Sequence, residues 1–275
     1  MLLTITLLVL IGGLSAIIGS IVGIGGGIII VPTMVYLGVE HGLLHNITTQ
    51  VAIGTSSVIL IVTGLSSSLG YLKTKQVDIK NGSIFLFGLL PGSLLGSFIS
   101  RYLTFESFNL YFGIFLIFVA ILLMVRNKIK PFKIFDKPKY EKTYVDAKGK
   151  TYHYSVPPLF AFITTFLIGI LTGLFGIGGG ALMTPLMLIV FRFPPYVAVG
   201  TSMMMIFFSS VMSSIGHIAQ GHVAWGYAII LIISSYFGAK IGVKVNQSIK
   251  SDTVVTLLRT VMLLMGIYLI IRALI

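Results

Sequence analysis

Ten apolar runs occupy almost the whole sequence, and they restrict the fold more than any single motif does. Several contain 18 or more mostly apolar residues, which is the length that an α-helix needs to cross a bilayer core of roughly 30 Å. Charged residues make up 9% of the 275 positions, against about 25% in a typical soluble domain. The sequence therefore predicts an all-α polytopic membrane protein.

The runs form two sets of five, separated by one polar stretch. The first set lies at about residues 2–22, 27–38, 48–72, 81–100 and 106–126, and the second at about 157–175, 180–191, 196–218, 225–246 and 252–275. This arrangement predicts an N-terminal transmembrane repeat over 1–126, a basic linker over 127–156 and a C-terminal transmembrane repeat over 157–275. The first run has no basic region before it, so we expect a retained helix and not a cleaved signal peptide.

The two halves also repeat in sequence. VAIGTS at residues 51–56 recurs as VAVGTS at 197–202, and GIGGGIIIVP at 23–32 recurs as GIGGGALMTP at 176–185. Such internal symmetry is typical of secondary transporters. The alternative is a duplicated scaffold that has no role in transport.

The basic residues lie in alternate loops, which predicts an orientation. Nine of the 19 Lys and Arg residues fall between Arg126 and Lys150. The other basic loops are 73–80, 191–195 and 240–250, and the loops without Lys or Arg are 39–47 and 219–224. The positive-inside rule then places the linker in the cytoplasm, with Arg101 and Arg272 as exceptions. This assignment requires an odd number of crossings per half, so we expect an inverted repeat. The number is five if the short runs cross, or three if the first two runs form a re-entrant hairpin.

The short second run of each half begins at a glycine cluster. The clusters comprise Gly23, Gly25, Gly26 and Gly27 in the first half, and Gly176, Gly178, Gly179 and Gly180 in the second. Glycine tolerates positive φ and lets a backbone or a ligand approach closely. A helix that starts at such a break presents free N–H groups and a dipole that favour an anion. We therefore expect discontinuous or re-entrant helices that border a substrate site, and we expect Pro32 and Pro185 to kink or shorten them. The alternative is that the glycines serve close helix packing.

Few other polar side chains lie inside the runs. The repeated Gly-Thr-Ser places four hydroxyls there, those of Thr55, Ser56, Thr201 and Ser202. They either bond back to carbonyls of their own helix or donate to a polar solute. His217 could bind an anion or sense pH, but an interfacial histidine with a hydrogen bond to the backbone is the preferred interpretation. For Lys240 we favour extension of the side chain to the membrane surface over a role in holding an anion.

Several kinds of site are excluded or disfavoured by what the sequence lacks. Cysteine is absent, which excludes disulfides and Cys-ligated metals. The carboxylates of Glu40, Asp78, Glu106 and Asp252 lie at the ends of runs or in loops, which argues against a carboxylate proton relay or a dense cation site. No catalytic motif indicates an enzyme. The net charge of +12 fits membrane orientation and anionic lipid better than nucleic acid. We therefore expect no cofactor, no metal and no nucleic-acid partner.

The doubled glycine motif with its proline, the doubled Val-Ala-x-Gly-Thr-Ser and the basic central linker resemble the TauE/SafE family of sulfite-exporter-like transporters. The resemblance covers nearly the whole chain except the linker. It implies the movement of sulfur-containing organic or inorganic anions across the cytoplasmic membrane. It also assigns the eight motif glycines, Pro32 and Pro185 to the motif positions of the family. It fixes neither the substrate nor the direction of transport.

Together these features predict a multi-pass protein of the cell membrane that carries a small anion, such as sulfite or a sulfonate, by alternating access between two halves. Its partners would be the anionic solute and membrane lipid. The predicted substrate-binding set comprises the eight motif glycines, Thr55, Ser56, Thr201, Ser202 and His217. The alternative is a channel-like or structural membrane protein in which the glycines serve packing alone.

Overall fold

The computed structural model describes residues 2–125, 141–145 and 151–274. Its helices are α1 (Leu2–Val22), α2 (Gly27–Val35), α3 (Thr49–Lys73), α4 (Ile79–Ile99), α5 (Phe105–Val125), α6 (Pro158–Phe175), α7 (Gly180–Ile189), α8 (Pro195–Ala219), α9 (Trp225–Ser248) and α10 (Ser251–Leu274). Every predicted run is helical, so the all-α interpretation is confirmed. Most of the basic linker, with most of the nine basic residues used for orientation, lies outside the described residues.

Seven helices in the described part of the chain are long and apolar enough to cross a membrane. They are α1, α3, α4, α6, α8, α9 and α10, and α5 adds a further apolar helix of 21 residues. The predicted short helices are also present, with nine residues in α2 and ten in α7. Pro32 and Pro185 lie inside them, and each helix continues for about another turn, so proline does not end either one.

The linker contains an antiparallel β-hairpin that the sequence analysis did not predict. Strand β1 (Glu141–Val145) pairs with β2 (Thr151–Ser155). The sequence of β2, TYHYS, begins with a β-branched Thr and has Tyr at two alternate positions, which favours a strand. Tyr154 is buried, and its ring centroid lies 4.3 Å from that of Phe193. The hairpin is therefore packed against the helices and is not a detached loop.

The two halves are interlocked, because each packs its first helix against the other half. Helix α1 lies along α9, and α6 lies along α4. Glycines permit this approach: a Cβ atom at Gly92 would collide with the carbonyl oxygen of Phe166, and one at Gly238 with that of Gly13. At these helix pairs the small residues serve close packing, as is common in membrane bundles.

Equivalent helices of the two halves run antiparallel where they meet. Helix α3 packs against its counterpart α8. Ser57, near the start of α3, contacts Ser213, near the end of α8. Further along α3, Gly64 lies against the backbone of Phe207. Helices α5 and α10, which are also counterparts, pack together as well.

Candidate functional site

Each glycine cluster breaks the chain between a long helix and a short one. In the first break, φ is +79° at Gly23, +76° at Gly25 and +94° at Gly26. In the second break, φ is +65° at Gly176, +69° at Gly178 and +72° at Gly179. These are left-handed conformations that only glycine adopts at little cost. Six of the eight motif glycines therefore have the positive φ that glycine tolerates.

The remaining two motif glycines show that the breaks touch one another. A Cβ atom at Gly27 would lie 2.8 Å from the Cα of Ile177, and one at Gly180 would lie 2.7 Å from the carbonyl oxygen of Gly23. The side chains of Leu60 and Ile206 fill the space between the breaks. The eight motif glycines therefore form one buried region, sealed by two apolar side chains.

The serines of the repeated motif satisfy the carbonyls that the breaks expose. Ser56 donates to the carbonyl oxygen of Gly176 at 2.9 Å, and Ser202 donates to that of Gly23 at 2.8 Å. Each bond joins one half to the other. An unpaired carbonyl at this depth would cost free energy because no water is present to bind it. Ser202 also donates to the carbonyl oxygen of Val199 in its own helix. The alternative that the motif hydroxyls bond back to their own helix therefore applies to Ser202 and not to Ser56.

The threonines of the same motif have a different role. The hydroxyl oxygen of Thr55 accepts a hydrogen bond from the backbone N–H of Ala224 at 3.0 Å, and that of Thr201 accepts from Asp78 at 2.9 Å. Ala224 and Asp78 precede α9 and α4, where the first N–H groups have no partner within the helix. Both threonines keep a hydroxyl proton for which the described residues offer no acceptor.

His217 bonds to the backbone, as the preferred interpretation predicted. Its Nε2 lies 3.1 Å from the carbonyl oxygen of Gly173. Since a carbonyl can only accept, Nε2 carries the proton. In the first half the equivalent bond runs from the hydroxyl of Tyr71 to the carbonyl oxygen of Ser20 at 2.7 Å. His217 is fully buried, and its Nδ1 has no partner among the described residues.

The structure places two charged residues in different surroundings. Lys240 is exposed, and its ammonium lies 4.2 Å from the centroid of the Tyr236 ring, so it belongs to the outer surface. Asp78 is buried and accepts hydrogen bonds from Asn81 and from the hydroxyl of Tyr154 at 2.9 Å. The sequence marked Asp78 only as a helix end, since its partner Tyr154 is 76 residues away.

Two clefts carry basic side chains at their edges. One, of about 360 Å³, is lined by residues of loops 39–50 and 101–104 and includes Arg101. The other, of about 420 Å³, includes Lys75, Lys80 and Asp78 and borders the β-hairpin at Tyr154. Each basic side chain would raise the local concentration of an anion.

The chain is similar in sequence to several known membrane proteins. A family model described as Sulfite exporter TauE/SafE matches residues 8–269. "Probable membrane transporter protein YunE" of Bacillus subtilis (strain 168) is 43% identical over 264 residues, which cover 96% of each chain. "Probable membrane transporter protein MJ0441" of Methanocaldococcus jannaschii is 26% identical over 98% of this chain and 96% of its own.

A plant protein matches a shorter stretch. "Sulfite exporter TauE/SafE family protein 6" of Arabidopsis thaliana is 32% identical over 107 residues, which are 37% of this chain and 25% of its own. No solved structure gives a significant match. The names of these three relatives describe transport proteins and not enzymes.

Proposed function

The chain belongs to the sulfite exporter TauE/SafE family, and from this premise we propose that it carries a small sulfur-containing anion by alternating access between its halves. Sulfite, sulfonates and related organosulfur anions form the proposed substrate class. The observation that carries the proposal is the meeting of two glycine breaks, each of which starts a short helix inside the bundle.

The short helices supply donors suited to an anion. The N–H groups of Gly27 and Ile28 in α2, and of Gly179 and Ala181 at the start of α7, have no acceptor among the described residues. No side chain caps either helix. Free N–H groups and the positive end of the helix dipole favour negative charge. Neutral donors also allow release, whereas a buried full charge would hold an anion more tightly.

The packing of the helices supports an inverted repeat. Counterpart helices α3 and α8 run antiparallel, as a two-fold axis in the membrane plane requires. Leu60 and Ile206 occupy the contact between the breaks, so access from either side requires these side chains to move. We place the linker in the cytoplasm and the protein in the cell membrane. Single cysteines introduced near positions 45 and 221 should then label from outside, and one near 140 should not.

The function is tested with purified protein in liposomes. Uptake of radiolabelled sulfite, sulfate, thiosulfate, sulfoacetate and simple carboxylates is measured against protein-free liposomes. We expect saturable flux of at least one sulfur-containing anion, and acceleration by the same anion on the opposite side. Flux that never saturates and shows no exchange would indicate a channel. Movement of cations or neutral solutes alone would reject the proposal.

A further inference from the structure

The surroundings of the second glycine break are more polar than those of the first. Ser209 donates to the carbonyl oxygen of Gly178 at 3.1 Å. Beside it, the hydroxyl oxygen of Ser210 lies 3.0 Å from the position that a Cβ atom of Gly178 would take. Ser210 is fully buried, and its hydroxyl has no partner among the residues that the structure describes. A donor at the break is therefore unused.

The backbone at this break adds further unused donors. In the first break the N–H groups of Ile24 and Gly25 both donate to the carbonyl oxygen of Gly19. In the second break the corresponding N–H groups of Ile177 and Gly178 have no acceptor within the described ranges. The Ser210 hydroxyl contacts the position of a Gly178 Cβ atom, so it lies at the same break as these N–H groups, just before α7, which is ten residues long.

The first break offers no equivalent hydroxyl. The repeat pairs Ser210 with Gly64, which packs so closely that an added Cβ atom would lie 2.7 Å from the backbone nitrogen of Phe207. Ser209 corresponds to Thr63, which bonds to the carbonyl oxygen of Ile59 in its own helix. The two breaks thus share a backbone conformation but differ in available donors.

Unused polar groups continue from the second break along one face of α8. The hydroxyl of Ser214 follows Ser210 by about one turn, and Nδ1 of His217 follows by about another. Both atoms are buried without a partner among the described residues. His222 is the titratable group that lies near His217, with 6.3 Å between ring centroids. These three side chains form a row along α8, from the second break toward the C-terminal end of the helix.

We propose that the anion binds off the symmetry axis, at the second glycine break, where the Ser210 hydroxyl and the N–H groups at the start of α7 donate to it. This site rests on the proposed function and adds Ser210 as a binding residue. The side chains of Leu60 and Ile206 cover Gly178 in the present arrangement. The anion therefore reaches the site when these two side chains move aside, and Ser214 and His217 line its route to the end of α8.

The test compares two serines one turn apart on α8. Ser210→Ala removes the unused hydroxyl, and Ser213→Ala removes a buried hydroxyl that is already paired with Ser57 at 3.2 Å. Saturable flux of radiolabelled sulfite into proteoliposomes gives an apparent KM and a maximal rate for each variant. A hydrogen bond to a charged group corresponds to roughly a tenfold or greater change in affinity. We expect an increase of that size in KM for Ser210→Ala, recovery in Ser210→Thr, and little change for Ser213→Ala.

Each result has a defined meaning. If wild-type protein moves sulfite and Ser210→Ala retains its KM, the site is rejected while the proposed function stands. If Ser213→Ala raises KM as much as Ser210→Ala, the effect is structural and the site is likewise rejected. If wild-type protein moves none of the sulfur-containing anions, the proposed function fails and the site fails with it. If Ser210→Ala does not fold, Ser210→Cys, which replaces the hydroxyl with a weaker donor, is measured in its place.

Discussion

The first and second glycine breaks have the same backbone conformation but different side-chain surroundings. Both use left-handed glycines, and both have a carbonyl held by a serine from the other half. Around the second break, however, the Ser210 hydroxyl has no partner in the described part of the chain, whereas its counterpart in the first half is Gly64. The comparison teaches that a repeated fold must satisfy its exposed carbonyls in both copies, because lipid offers them no water. Under the proposed site, donors for the anion are needed in the second copy only.

The largest expected effects come from filling the breaks. Gly26→Leu and Gly179→Leu should each abolish flux while some inserted protein remains, since both residues have positive φ.

Alanine substitutions should reveal a difference in stability between the two breaks. A left-handed L-residue costs about 1–2 kcal/mol, and at Gly26 the new Cβ atom would also lie 2.7 Å from the carbonyl oxygen of Ser15. At Gly179 the nearest atom is a side-chain hydroxyl of Thr172 at 3.2 Å.

Gly26→Ala should therefore lower the midpoint of thermal unfolding in detergent more than Gly179→Ala does. Membrane insertion is checked by the yield of monodisperse protein. Equal losses of stability would show that the two breaks are equally crowded. Normal transport by both leucine variants would show that the breaks do not border the transport path.

A smaller difference is expected between the two serines that hold carbonyls. The carbonyl oxygen of Gly23 also accepts from Thr184 at 2.8 Å, so Ser202→Ala leaves it with a partner. The described residues give the carbonyl oxygen of Gly176 no side-chain donor besides Ser56. Ser56→Ala should thus destabilise the protein by about 1–3 kcal/mol and Ser202→Ala by less. The midpoint of thermal unfolding is measured for both variants. A larger loss of stability in Ser202→Ala than in Ser56→Ala would contradict this explanation.

The threonine pair tests whether the halves contribute equally to binding. Thr55→Val and Thr201→Val each remove a hydroxyl with little change in shape. If these hydroxyls donate to the anion, apparent affinity should fall roughly tenfold in flux assays. Each variant also leaves one helix-start N–H unpaired, so stability is measured in parallel. Unchanged affinity in both would exclude the hydroxyls from the site and leave their bonds to Ala224 and Asp78 as their role.

The smallest expected effect is a pH dependence confined to the second half. Partial burial lowers the pKa of His222 below its usual value of 6.5. The folded state therefore binds a proton less readily than the unfolded state, and stability falls as the pH drops below about 6.5. The repeat places Gln76 at the equivalent position in the first half. His222→Gln should reduce the loss of thermal stability between about pH 7.5 and pH 5.5. An identical loss in both proteins would show that His222 does not contribute.

Local sequence patterns predicted the helices and the breaks, but they did not predict most hydrogen-bond partners. The helix ends agree with the apolar runs because hydropathy and glycine conformation act over a few residues. The hairpin was missed because the lysines around β2 dominate the composition of the linker. Ser210 was missed because one serine among several in α8 carries no local sign that its hydroxyl is unpaired. The glycine next to it in space is 32 residues away in sequence.

The sequence by itself determined that this chain forms apolar helices in two similar halves, each interrupted by a cluster of glycines. These properties follow from hydrophobicity and from backbone sterics, which depend on neighbouring residues. Only the tertiary structure decided that the breaks touch and that Ser56 bonds to Gly176 across 120 residues of chain. The same holds for the hydrogen bond that Asp78 accepts from the hydroxyl of Tyr154. These contacts depend on how α1 lies along α9 and α4 along α6. A buried polar group takes whichever partner the packing brings within reach, and no local pattern records that choice.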